Sequence, residues 1–192
     1  FNKFILIMIY LIDHRDSFTF NLEHLLSNYD DVFVSNYFEI DDIKIAHSNL
    51  IVFSSGPGTP ENYPQTSCIY KKFKGKKKIL GICLGFQQIL YNEKGQIIRQ
   101  KKIYHGHQSK IKVLKSSVLF KSNQSFKVGR YHSLKLKEPY YSKETLITMR
   151  CMETRVAMAI ENKKDKIYGF QFHPESFLTE NGKYIIQKIL ST

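Results

Sequence analysis

Three short segments carry the residues of this chain that could do chemistry. The first, Gly81-Ile82-Cys83-Leu84-Gly85-Phe86-Gln87, follows the apolar pair Ile79-Leu80 and reads as a thiol on a strand-to-helix elbow. A side chain displayed at such a tip needs small neighbours two residues to either side, and Gly81 and Gly85 flank Cys83 in that way. Unpaired N–H groups and the positive end of the helix dipole at the first turn favour a thiolate there. The second segment, Phe172-His173-Pro174-Glu175-Ser176, offers an imidazole with a carboxylate two residues on. In an extended segment those two side chains share a face, so Glu175 can fix the tautomer of His173 and stabilise its imidazolium. The third, Ser54-Ser55-Gly56-Pro57-Gly58-Thr59-Pro60, is a glycine turn after the apolar run Leu50-Ile51-Val52-Phe53. Its backbone N–H groups could approach a ligand with no Cβ in the way. A nucleophile, an oriented base and an oxyanion turn are the parts of an acyl-transfer site.

Each segment has a blander reading when taken alone. Cys83 could be a buried, inert cysteine, His173 to Glu175 a surface turn, and the Gly56 turn a loop with no ligand. The third is no phosphate loop, because no Gly-Lys-Ser or Gly-Lys-Thr follows it. The combination favours chemistry, and it sets a demand on the fold: strands must bring positions 56, 83 and 173 to one edge.

The pattern of apolar residues meets that demand. A strand over 4–12 precedes a helix with Phe18, Leu22, Leu25, Leu26 and Tyr29 at helical spacing. Strands are expected at 32–34, 50–53 and 79–83, and helices at 63–73 and 85–93. This alternation implies an α/β fold with a mostly parallel open sheet and helices on both faces, whose ligands sit at the carboxyl ends of the strands. The second half is richer in strands, expected at 110–114, 126–131, 146–149, 156–160 and 167–172, with a polar hairpin turn at 162–166 and a closing helix over 181–190.

Composition narrows the class. A length of 192 residues with 42% hydrophobic residues suits one domain, 1–192, with a sizeable core. Met8 is a candidate start, which makes Phe1 to Ile7 an N-terminal extension. No apolar stretch approaches the roughly 18 to 20 residues that span a bilayer, and no small-residue cleavage site follows the first apolar run. The cysteines, Cys68, Cys83 and Cys151, are odd in number and lack Cys-x-x-Cys spacing. That argues against a disulfide framework or a zinc site and for a reducing cytoplasm. The net charge of +12 raises nucleic acid as a partner. The excess is mostly lysine in a chain also rich in Ile, Asn, Tyr and Phe, which coding bias explains as well, and the aromatics are spread rather than grouped as a base-stacking platform. The basic cluster at 74–78 reads as a solvated turn.

In this order and spacing, the three segments closely resemble the class I (triad-type) glutamine amidotransferases. Residues 11–22, His105-Gly106, the run Gly129-Arg130-Tyr131-His132-Ser133-Leu134 and residues 172–180 narrow the likeness to the glutaminase subunit shared by anthranilate synthase and aminodeoxychorismate synthase. The resemblance, described as flavodoxin-like in fold, runs from about Ile9 to the C-terminus. It implies that Cys83 is the nucleophile toward the glutamine carboxamide, His173 the general base and acid, and Glu175 the residue that orients it. It further implies that Gly56, Pro57, Gly58 and the N–H of Leu84 serve the oxyanion hole, and that Gln87, Ser133 and Leu134 hold L-glutamine. The implied partner is a larger chorismate-binding synthase subunit that takes up the ammonia. No cofactor and no metal are implied for this chain, any magnesium belonging to the partner, and no nucleic acid or membrane is involved.

Several positions depart from the family pattern. Phe86 stands for a usual histidine, His14 and Arg15 for Asn-Tyr, Ser55 for proline, His107 for lysine and Asn181 for histidine. None of these removes a group of the expected triad. Two other readings compete: a stand-alone cysteine hydrolase or peptidase on a related fold, and a non-catalytic regulator that keeps the fold.

Overall fold

The computed structural model describes residues 8–192. Nine strands form one sheet in the order β2-β1-β3-β4-β11-β10-β9-β6-β7. On one side of it lie β1 (Met8–Asp13), β2 (Asp31–Asn36), β3 (Leu50–Phe53), β4 (Lys78–Ile82) and β11 (Ile167–Phe170), all parallel to one another. Antiparallel pairing extends the sheet from β11 through β10 (Ala157–Asn162), β9 (Leu146–Cys151), β6 (His107–Val113) and β7 (Ser125–Arg130). The expected strand 4–12 is seen from Met8 onward, its first residues lying outside the described ones.

Alternation along the central strands explains the layers. Ile9 and Leu11 face one way and meet Leu22, Leu25 and Leu26 of α1 (Thr19–Leu26) and Ile185, Ile186 and Ile189 of α5 (Gly182–Leu190). Tyr10 and Ile12 face the other way. There they meet Ile45 of α2 (Asp42–His47), Ile69, Tyr70 and Phe73 of α3 (Pro64–Phe73), and Phe86, Ile89 and Leu90 of α4 (Leu84–Asn92). A strand buried on both faces must be apolar throughout, and β3 is buried at all four positions.

Three elements were not legible in advance. α2 is six residues long with only Ile45 buried, too short for a periodic stripe; its one signal is Asp41, whose carboxylate caps the helix by accepting from the N–H groups of Ile43 and Lys44. β5 (Ile97–Arg99) and β8 (Leu134–Leu136) pair antiparallel as a separate ribbon, and three residues each are too few for alternation to register.

Candidate active site

Between the end of β4 and the start of α4 stands a single residue, Cys83, at φ 52° and ψ −98°. Such a conformation costs on the order of 1–3 kcal/mol for a residue with a Cβ and persists only where its surroundings dictate it. Here they do. The Cys83 N–H donates to the Phe170 carbonyl at 2.7 Å, continuing the β4–β11 ladder, and the Cys83 carbonyl accepts from the Gln87 N–H at 3.1 Å to close the first helical turn. A Cβ on Gly81 would lie 2.4 Å from the Gly85 carbonyl, and one on Gly85 would lie 2.2 Å from the Phe53 oxygen. Both glycines are therefore demanded by backbone contact at the elbow. The Leu84 N–H has no hydrogen-bond partner among the described residues, as a donor reserved for a ligand requires.

His173 arrives from the adjacent strand. β11 pairs with β4 in parallel, with Gly169 opposite Gly81 and Phe170 opposite Ile82, so the two chains leave the sheet side by side at the same end. Beyond β11 the His173 N–H donates to the Gly129 carbonyl at 3.1 Å. Its Nδ1–H donates to Glu175 Oε1 at 2.8 Å. The pair is made differently from the sequence expectation: the segment turns instead of staying extended, with the Ser176 N–H donating back to the His173 carbonyl at 3.2 Å. The Glu175 side chain is fully buried, and among the described residues its other oxygen has no partner, so the imidazole is its one hydrogen bond there. His173 Nε2 is also buried with no hydrogen-bond partner among the described residues. Burial alone would lower the pKa of His173, but the Glu175 carboxylate and the neighbouring Cys83 outweigh it and hold the imidazole well above its ordinary value. Phe18 and Tyr131 close over the ring at centroid distances of 4.9 and 5.0 Å.

The glycine turn after β3 lies against the same elbow. A Cβ on Gly56 would sit 2.6 Å from His14 Cβ and 2.7 Å from Leu84 Cδ2, and Gly58 holds a φ of 77°. The Pro57 carbonyl accepts from the Tyr63 hydroxyl at 2.8 Å, tying the turn to α3. His14, one of the departures from the family pattern, is fully buried beneath this turn. The Ser54 hydroxyl is spent on the Ser55 carbonyl at 2.6 Å, so His14 Nδ1 donates to Ser54 Oγ at 3.2 Å and Nε2 accepts from Thr66 at 2.9 Å. Burial lowers the pKa of His14 to about 4, and it is neutral at pH 7. A cavity of about 650 Å³ lies at the far end of α4, around Glu93 and Tyr140, away from Cys83; the geometry of reacting groups, and not empty volume, locates the site.

Gln87 is buried, and its amide donates to Gln171 Oε1 at 3.0 Å, while Gln171 Nε2 contacts the Cys83 sulfur at 3.7 Å. Gln171 was not singled out in the sequence; its signal was available, since it stands two residues before His173. Ser133 lies in the short loop after β7 and Leu134 opens β8; the loop is joined to the site through Tyr131. Residues 10–191 match the family model described as Glutamine amidotransferase class-I. The chain belongs to this family. Similarity to anthranilate synthase component 2 of Lactococcus lactis is 35% identity over 189 residues, covering 96% of this chain and 94% of that one. For the protein of the same name from Cyanophora paradoxa it is 38%, covering 96% and 98%. Among solved structures, a glutamine amidotransferase from Thermotoga maritima superposes with a TM-score of 0.69 at 16% identity, covering 88% of this chain and 76% of that one. In the present chain Phe86, which stands where the family pattern has histidine, is fully buried beneath Gly169, so that substitution lies in the core under the elbow. No helix of the described residues is long and apolar enough to cross a membrane.

Proposed function

We propose that this chain is the glutaminase subunit of a chorismate-aminating synthase, with Cys83, His173 and Glu175 as its triad. His173 Nε2 takes the thiol proton and the sulfur attacks the carboxamide carbon of glutamine. The oxyanion forms against the Leu84 N–H and the turn at Gly56, Pro57 and Gly58. His173 then returns the proton to the leaving nitrogen, ammonia departs, and water attacks the thioester to release glutamate and restore the thiol. Gln87, Ser133 and Leu134 are the residues assigned to hold the glutamine. The ammonia passes to a larger chorismate-binding subunit, and the whole chain acts as one amidotransferase domain in the reducing cytoplasm.

The observation that carries this reading is the orphaned, buried Nε2 of an imidazole whose other nitrogen is locked to a buried carboxylate. An imidazole in that state is prepared to accept one proton from a neighbouring acid, and the acid beside it is Cys83. Near-complete enclosure of Cys83, 7% exposed, favours a small amide over the peptide a protease must admit. The decisive experiment is Cys83→Ala in the synthase complex. Glutamine-dependent amination is expected to vanish while amination from added ammonium persists; glutamine hydrolysis that survives the substitution refutes the assignment.

A further inference from the structure

Among the described residues Arg130 heads the largest fully buried side chains, and no carboxylate among them forms an ion pair with it. A lone buried cation is expensive, and it is retained where its donors are needed. Its guanidinium lies over the Tyr104 ring, Cζ 3.5 Å from the centroid. Weak contacts join Nη1 to Ser109 Oγ and Cys151 Sγ at 3.4 and 3.5 Å. The best hydrogen bond it makes runs from Nε–H to His132 Nε2 at 3.0 Å.

That bond fixes a tautomer. An Nε2 that accepts from arginine carries no proton, so the proton of the neutral ring is on Nδ1, which donates to the Leu134 carbonyl at 2.8 Å. Gln100 Nε2 also stands 3.3 Å from Nδ1, but its amide is directed to the His132 carbonyl at 2.7 Å, and two donors cannot bond each other. Burial first, and the Arg130 charge second, hold the pKa of His132 down to about 3, so the ring stays neutral and adds no second positive charge beside His173. The backbone of the loop is clamped from the other side: the Gln100 N–H reaches the Ser133 carbonyl at 2.9 Å and the Tyr104 N–H reaches the His132 carbonyl at 3.2 Å. Ser133 is half-buried in this loop.

We propose that Arg130 and His132 are positioning residues that set the Ser133–Leu134 segment for glutamine, Arg130 acting through the tautomer it imposes on His132. This rests on the reading that Ser133 and Leu134 hold glutamine. The test is a pair of variants in the intact complex, with kcat and KM for glutamine hydrolysis and the thermal midpoint measured for each. In His132→Asn the amide nitrogen replaces Nδ1 and keeps the bond to Leu134. In His132→Gln the amide oxygen replaces Nε2 and keeps the bond to Arg130. Both variants lose one buried hydrogen bond, so their thermal midpoints fall by similar amounts. The expected result is a KM raised about tenfold in His132→Gln, the worth of one hydrogen bond, with KM near native in His132→Asn and kcat little changed in both. Equal KM changes in the two variants, no change in either, or the reverse ranking overturns the relay. A native complex that hydrolyses no glutamine overturns instead the reading on which it rests.

Discussion

The two halves of the sheet contribute to the site in different ways. The parallel half brings the glycine turn after β3 and the elbow after β4, where contacts are so close that a methyl group is excluded, by backbone atoms at Gly81 and Gly85 and by the His14 and Leu84 side chains at Gly56. The antiparallel half brings β7 and the loop after it, where side chains do the holding, the buried Arg130 and His132 and the half-buried Tyr131. β11 is the seam: parallel to β4 and antiparallel to β10, it carries His173 out beside Cys83 while the Gly129 carbonyl of β7 receives the His173 N–H. Backbone-held geometry is rigid and intolerant of substitution, whereas a side-chain network can be tuned by single replacements.

His173→Ala tests the seam directly and carries the largest expected effect on this comparison. Loss of the base is expected to slow thioester formation by a factor of about 100 or more, measured by single-turnover release of ammonia. A rate within threefold of native would mean that the seam does not assemble a working pair. A glycine comparison comes next. Gly85→Ala drives a Cβ into the Phe53 oxygen at 2.2 Å and should cost about 3 kcal/mol or more. Gly129→Ala meets the Ser176 hydroxyl first, at 2.8 Å, a side chain that can rotate, and should cost about 1–2 kcal/mol. Denaturant midpoints in both variants decide it, and equal losses would erase the distinction between the halves.

The smallest effect separates the buried histidines. His14 has a folded pKa near 4 against an ordinary 6.5, so its neutral form stabilises the fold above about pH 6.5. That contribution is lost as pH falls from 6.5 toward 4, because the unfolded chain then binds the extra proton. His173 has the opposite sign: its raised pKa stabilises at low pH, and the contribution is lost as pH rises through the folded value. His14→Asn should flatten the dependence of stability on pH between 6.5 and 4, leaving glutamine hydrolysis near native. An unchanged slope would show that His14 is not the group titrating there.

The sequence made Cys83 and Gly85 legible because an elbow needs particular residue types at fixed local spacing, and the strands around them because both faces are apolar. It also paired His173 with Glu175, though through a strand where the molecule uses a turn. It offered Gln171 only through its place two residues before His173, its contacts with Cys83 and Gln87 existing in the fold alone, and it did not reveal Arg130, which reads as one more basic residue of a basic chain. α2 and the β5–β8 ribbon escaped because so few residues leave no period to detect.

By itself, then, the amino-acid order determined the kinds of groups present, the local turns that display them and the family to which they belong. Tertiary structure alone decided that strands distant in sequence lie side by side, that one nitrogen of His173 is left facing the thiol, and that a buried arginine sets the tautomer of the histidine next to it. The reason is physical: turn sterics and periodicity act over a few residues, whereas pairing register, burial and electrostatic coupling exist only once remote segments share the same space.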